Sequence, residues 1–395
     1  MPPRRTPRVF VLGDIHLFRH TPRSVVDDLA ALLARHPGDR FVFAGDLLDL
    51  SAESPRHEDR HRTAEGAILA HAPLRAALAR HVDQGGELWL VSGNHDAEVG
   101  EDDFAGRLAG ALGIAPSARA RLRTTPWFFR DHGIHIEHGH LYDPDNAPAH
   151  PLASGPSLGV HFVEEFIAPT GAHRYLNAND GTPLKLFLSS FQWYGVRAPH
   201  VIYRFFHTAF GALGKSGARF GLEDQRARGR ALTPAFAESV GLARELLDEL
   251  LSDSPRPTLA SARATFARCY LDRVLATVTA TGGAMALVSG HKLAGGAALS
   301  LGAIAMLASW ATGYDRYTGS VVERLAAGAA RVANVTGSKL VVFGHTHREA
   351  LGPHYANTGS FSFPGRSPGR PYLEIEGPPE SPRAVRRYVT TAPAV

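Results

Sequence analysis

A single cysteine, Cys269, in 395 residues excludes an internal disulfide and fits a reducing compartment. Lysine is scarce as well: the 42 cationic residues are almost all arginine, and against 38 acidic ones they leave a formal charge of +4. So small an excess allows attraction to phosphates, nucleic acid or an anionic membrane and selects none of them. The glycine pairs Gly282-Gly283 and Gly295-Gly296 are not followed by Lys-Ser/Thr, so neither reads as a phosphate-binding nucleotide loop. Met-Pro-Pro-Arg-Arg is followed by no apolar segment of the secretory kind, so a cytoplasmic protein is expected, with the first seven residues a loose tail. No internal repeat is visible.

What the chain does have is 44% hydrophobic residues, enough for a sizeable core, and a regular alternation in its first 140 positions. Short apolar runs at Arg8 to Gly13, Arg40 to Gly45 and Glu87 to Ser92 read as strands. Helical spacing fills about 22–36 and 57–82 between them. Such alternation predicts parallel βαβ units around a buried sheet, whose ligands bind beyond the carboxyl ends of the strands. Further strands are expected at Trp127 to Arg130, Gly133 to His138, Lys339 to Gly344, His354 to Thr358, Pro371 to Glu376 and Ala384 to Val389. The core thus comprises 1–150 and 336–395, with 151–335 a mainly helical insertion whose clearest helices fall near 234–252 and 258–280.

Five motifs sit at these strand ends: Asp14-Ile15-His16, Gly45-Asp46-Leu47-Leu48-Asp49, Gly93-Asn94-His95-Asp96, His138-Gly139-His140 and Gly344-His345-Thr346-His347. Two cations about 3.5–4 Å apart can clamp a phosphate and acidify a water, and they need one carboxylate shared between them. Asp46, at the central strand end, is the natural bridge. Asp14 and His16 are two apart, so a loop must turn both side chains to one ion. Asn94 offers an amide oxygen, and His138, His345 and His347 offer imidazoles. His95, next to Asn94, would reach the substrate and hand a proton to the leaving alkoxide. Asp49 would hold its tautomer. Asp96 is expected to hydrogen-bond its own turn.

With these motifs the chain resembles the calcineurin-like metallophosphoesterase superfamily, over residues 8–140 and 339–361. The resemblance implies an α/β/β/α sandwich of two sheets flanked by helices. It implies that Asp14, His16, Asp46 and His347 bind one divalent ion and that Asp46, Asn94, His138 and His345 bind the other. It also makes His95 the general acid with Asp49 as partner, and Asn357-Thr358-Gly359-Ser360 the closing loop. Manganese is the expected metal, with iron, zinc or nickel compatible with the same donors. Within the superfamily the first three motifs look most like UDP-2,3-diacylglucosamine pyrophosphatases. Here the insertion is far longer, and His-Gly-His stands where His-Gly-Asp is more usual. Leu50-Ser51 replaces the Arg-Gly of Ser/Thr protein phosphatases. A nuclease of the same superfamily and a non-catalytic scaffold are the alternatives; a scaffold typically loses histidines, and none is missing here.

His57-Glu58-Asp59-Arg60-His61 spells the zinc-protease H-E-x-x-H, but its neighbours are charged where that helix must be buried, so a solvated helix start is expected. The insertion holds two unusual stretches. Leu184 to Gly214 interleaves Phe187, Phe191, Trp193, Tyr194, Tyr203, Phe205, Phe206 and Phe210 with Lys185, Arg197 and Arg204. Arg197, Arg204 and His140 are candidate substrate contacts. Val274 to Gly290 and Leu293 to Ala311 are free of charged side chains, the latter 19 residues long, close to the ~20 that span a bilayer. A soluble cap or dimer interface, a hairpin on the membrane surface and a spanning hairpin all fit this pattern. The expected substrate is a phosphorylated small molecule or lipid-linked compound, with the inner face of a membrane as a site of association and nucleic acid not favoured.

Overall fold

The computed structural model describes residues 7–53, 59–153, 155–171, 183–252, 254–313 and 320–389. The first six of the seven residues expected as a loose tail, and His57 and Glu58, lie outside the described residues, as do the side chains of Lys185 and Phe187. The chain divides into two compact units.

The first unit holds Met1–Val160, Glu223–Arg256 and Val321–Val395. Its strands are β1 (Val9–Leu12), β2 (Arg40–Ala44), β3 (Glu87–Val91), β4 (Leu122–Thr125), β5 (Phe128–Asp131), β6 (Ile134–Glu137), β7 (Leu340–Phe343), β8 (Glu349–Leu351), β9 (Tyr355–Thr358), β10 (Arg370–Glu376) and β11 (Arg383–Val389). One sheet runs β11-β10-β1-β2-β3-β4 and the other β5-β6-β7-β9-β8. β1, β2 and β3 are parallel neighbours, as are β6 and β7, so their carboxyl ends lie together within each sheet.

Side-chain alternation builds the layers. Val11, Val42, Ala44 and Val91 meet Ile134, Ile136, Leu340 and Val342 between the sheets, where small and β-branched groups let the two pack closely. The alternate positions, Phe10, Leu12, Phe41, Phe43, Leu88 and Leu90, face the other way onto the helices Arg23–Arg35, Ala72–Asp83 and Phe104–Leu112. Each such buried Phe or Leu contributes roughly 1.5–3 kcal/mol. On the far face, Val341 and Phe343 of β7 pack with Phe236, Leu247, Leu250, Leu325 and Val332. These come from the helices Leu222–Val240, Arg244–Ser252 and Ser320–Thr336. The outer helical layer of the second sheet is therefore drawn from within 151–335, the span read from sequence as an insertion.

Local boundaries differ from expectation for identifiable reasons. The helix expected over 57–82 is two, Arg60–Leu69 and Ala72–Asp83. The one over 234–252 breaks at Gly241, whose φ is +63°, and the one over 258–280 breaks before Tyr270, at φ +57°. β4 is too polar after Leu122, and β8, at three residues, too short, to show a strand period.

The second unit holds His161–Leu222 and Pro257–Ser320 and is helical. Val163, Phe166, Ile167 and Val201 form its buried centre, with Phe162, Tyr194 and Phe205 against them. The aromatic-rich stretch is thus partly core. Phe191, Tyr203 and Phe210 remain exposed.

Candidate metal centre

The turns after β1, β2 and β7 are strained in a consistent way. Seven non-glycine residues among those described have positive φ, and five of them are Asp14, His16, Asp46, His345 and His347. Each costs on the order of 1–3 kcal/mol, so the fold must over-determine these turns. It does so with backbone and buried carboxylates. Asp96 is fully buried and accepts from the N–H groups of Gly93 (2.8 Å), Asp46 (3.2 Å) and Leu48 (3.0 Å). It does more than cap its own turn: it ties the β3 turn to the β2 turn. Burial and the nearby Asp46 push its pKa up to about 7. Glycine is required at position 93, because a Cβ there would lie 2.0 Å from Asp46 Oδ1. The loop after β9 braces the opposite side: Ser360 Oγ donates to the Asp14 carbonyl (2.9 Å) and Asn357 Nδ2 to the Gly344 carbonyl (2.6 Å).

These turns gather the predicted donors. Asp14, His16 and His347 form one group of mutually close ligand atoms, Asp14, Asp46 and His138 a second, and His16, Asp46 and His95 a third. His16 Nε2 lies 3.2 Å from His347 Nε2, and His347 Nε2 lies 3.2 Å from Asp14 Oδ1. His138 Nδ1 donates to the Ala44 carbonyl at 3.0 Å, so in the neutral ring Nε2 carries a lone pair. That nitrogen faces Asp46 Oδ2 at 3.1 Å and Asn94 Oδ1 at 3.0 Å. Three acceptors pointing at one another are stable only with a proton or a cation among them. Asp14 Oδ1 and His16 Nδ1 are buried with no hydrogen-bond partner. The chemistry of the donor set therefore fits divalent cations, with the two carboxylates, Asp14 and Asp46, each in two of the groups.

Electrostatics agree. Burial would raise the Asp14 and Asp46 carboxyls, but His347 beside the first and His138 beside the second hold both below the usual range. Burial pushes His16 down to about 4, leaving it neutral and free to ligate. At His138 burial is outweighed by Asp46, which holds the ring up to about 9, a field that favours positive charge at that point.

His95 is fixed by its neighbours. Its backbone N–H donates to Asp46 Oδ1 (2.9 Å) and its Nδ1 donates to Asp49 Oδ1 (2.9 Å). Burial opposes its charge, yet Asp49 and Asp46 raise it to about 10. His345 belongs to none of the three-donor groups among the described residues. Its Nε2 donates to Asp143 Oδ2 at 3.0 Å, and its ring packs on His138. Sequence reasoning passed over Asp143 and Asn146, which bonds both Asp143 (2.7 Å) and Asn94 (3.3 Å). The available signal was a carboxylate and an amide just after His-Gly-His, of the kind that orients metal-binding imidazoles. His140 is nearly buried, with Nδ1 unpartnered, and lines a cavity of about 250 Å³ together with Asn94 and Asn146. Arg197 and Arg204 belong to the second unit, where they donate to the carbonyls of Thr170 (3.3 Å) and Glu165 (2.6 Å). Asp59 caps the helix that begins at Arg60, accepting from His61 N and Arg62 N, so that helix starts inside the H-E-x-x-H string rather than carrying it.

A two-sheet α/β sandwich with carboxylates and imidazoles converging at its strand ends defines a metal-dependent phosphohydrolase. Residues 7–212, just over half of the chain, match the family model for calcineurin-like phosphoesterase, and the chain belongs to that family. Four of the five motifs fall within the matched span; the fifth, at Gly344 to His347, is brought to them by β7. No curated protein matches the chain.

Proposed function

We propose that this phosphohydrolase cleaves a phosphoester or pyrophosphate bond in a lipid-linked or nucleotide-sugar compound, in the cytoplasm or at the inner face of a membrane. Asp14, His16, Asp46 and His347 would hold one divalent cation and Asp46, Asn94, His138 and His345 the other, with manganese the expected metal. When bound, the pair supplies charge for the phosphoryl oxygens and acidifies the attacking water. The chain's own residues do the rest. Asp49 takes Nδ1–H of His95, so Nε2 is the nitrogen left to pass a proton to the leaving oxygen. Asp143 orients His345, and Asp96 keeps Asp46 and the His95 turn in register.

The observation that carries the reading is the convergence of Asp14, His16, Asp46, His138 and His347 with the His95–Asp49 pair beside them. The substrate class is supported by the first three motifs and by the cavity. Its wall carries Pro151, Leu152 and Leu232, the acids Glu101 and Asp102, and, among the described residues, no lysine or arginine. Such a wall suits an uncharged sugar or acyl portion and repels the phosphates of a nucleic acid strand. Of the three candidate substrate contacts, His140 is the one we retain, since Arg197 and Arg204 donate to backbone carbonyls. The test is Mn²⁺-loaded protein against a nucleotide-sugar lipid, a phospholipid, a cyclic nucleotide, single-stranded DNA and a phosphopeptide. Turnover of either lipid is expected. Turnover confined to DNA or phosphopeptide overturns the substrate class, and inertness towards all of them and bis-p-nitrophenyl phosphate overturns the activity.

A further inference from the structure

The helices Leu271–Val288 and Lys292–Gly313 form a hairpin with a tight turn at Ser289 to His291. Their contact is made of backbone. A Cβ at Gly283 would lie 2.3 Å from Leu299 N, one at Gly295 2.6 Å from Leu287 N, and one at Gly302 2.5 Å from Ala280 N. Small residues thus occupy the seam, and the large ones point elsewhere: Leu275, Val278, Met285, Val288, Leu293, Leu301, Ile304, Leu307 and Trp310 are all more than half exposed. Only 22% of Leu271–Val288 and 17% of Lys292–Ala311 is buried.

An amphipathic helix covering a soluble core buries its apolar face and shows a polar one. Here the apolar groups are the exposed ones. They lie on the side of each helix that faces away from the seam, so they flank the hairpin on both sides, and no charged side chain interrupts Val274 to Gly290 or Leu293 to Ala311. A second copy of the chain would cover one side of such a hairpin and leave the other in water, whereas hydrocarbon covers every side. Small residues on the seam and apolar ones outside are the arrangement that packs helices in lipid. Charge is confined to the two ends. At the base, Arg273 Nε donates to Ser309 Oγ (3.1 Å), Ser309 Oγ donates to Asp272 Oδ2 (2.6 Å), and Trp310 lies one residue on. At the tip stand His291 and Lys292. The 19 residues from Leu293 to Ala311 rise about 28 Å, close to the ~30 Å of a bilayer's hydrocarbon.

We infer that this hairpin inserts tip-first across a phospholipid bilayer and makes the protein an integral membrane hydrolase. Its base sits at the cytoplasmic interface, where Arg263, Arg268 and Arg273 outnumber the single Lys292 of the tip. The inference goes beyond peripheral association and does not depend on the substrate. Purified full-length protein is mixed with phosphatidylethanolamine–phosphatidylglycerol vesicles, floated, and washed with high salt and then alkaline carbonate. Retention through both washes and release by detergent alone are expected. A Val278→Glu/Ile304→Glu variant should lose flotation while keeping wild-type hydrolysis of bis-p-nitrophenyl phosphate, which reports that it is folded. Should that variant be inactive, Ser289→Cys gives an independent reading. It should react with a membrane-impermeant maleimide only from the side opposite the hydrolase active site in proteoliposomes. Release by salt, or wild type recovered without detergent as a soluble dimer that Ile304→Glu dissociates, overturns the inference.

Discussion

At the strand ends, buried charge is packed into strained turns; along the hairpin, charge is absent and apolar side chains stand in the open. Asp14, Asp46 and Asp96 are almost fully buried within one small volume, while Leu293 is 92% exposed. Both regions are unfavourable in water for opposite reasons. The first leaves acceptors facing acceptors and calls for cations; the second leaves hydrocarbon in water and calls for lipid. Each breaks the rule for a self-sufficient soluble fold, and the kind of breakage names the missing component.

The sharpest way to break the first half of the comparison is to remove its shared carboxylate. Asp46→Asn should abolish turnover of bis-p-nitrophenyl phosphate and lower bound metal. Chelation of the wild type should do the same reversibly, with activity returning on addition of Mn²⁺. Retained activity after exhaustive chelation would show that the acceptors are satisfied by protons alone. Next in size is His95→Gln, expected to reduce turnover ~10²–10⁴-fold. Metal content, read by elemental analysis, should stay at the wild-type level; parallel loss of metal would make His95 a ligand, as its closeness to His16 and Asp46 also permits. Asp143→Asn should weaken metal affinity ~10–100-fold through His345, measured by competition with a chelator.

The hairpin half is sharpened by Gly283→Leu against Ala297→Leu. The first drives a side chain into the Leu299 backbone and should cost about 1–3 kcal/mol, lowering the melting temperature in detergent by a few degrees. The second adds an apolar group at an exposed position and should leave melting unchanged. Equal effects would mean that the seam is not where the helices pack.

The two regions were also unequally legible in the sequence. The candidate metal centre was readable because its chemistry is local: each donor follows a strand by one to four residues, and glycine marks where a backbone must approach a carboxylate. What joins the turns to one another was not. Asp96 bonds residues some fifty positions away, and Asp143 reaches His345 across the chain, contacts that no local period records. The parallel strands were legible from apolar alternation and the two-sheet sandwich only from the family resemblance, whereas the helices of 223–256 and 321–336 were read as insertion because helical periodicity does not say which sheet a helix covers. For the hairpin, the absence of charge was plain, but the alternatives separate only when Gly283, Gly295 and Gly302 are seen in the seam with the large residues outside.

The smallest expected effect concerns a histidine outside the donor set. His150 is buried, its Nδ1 accepts from Leu152 N–H (3.2 Å), and its ring fills the space a Cβ at Gly229 would need. Burial, then Arg230 and Arg226, push its pKa from 6.5 down to about 4. Between these values the unfolded chain binds a proton that the folded one refuses, so stability rises with pH across the window. The contribution is complete above pH 6.5 and is lost as pH falls towards 4. Full linkage would give about 3 kcal/mol, and partial screening brings it to on the order of 1–2 kcal/mol. Urea unfolding of chelated protein at pH 7.5 and pH 5 should show a smaller drop for His150→Gln than for wild type. Chelation matters, because metal ligands that titrate in the same range would otherwise mask it. An identical drop in both would mean that the ring already takes up a proton in the folded state, and that the arginines beside it are too well solvated to oppose it.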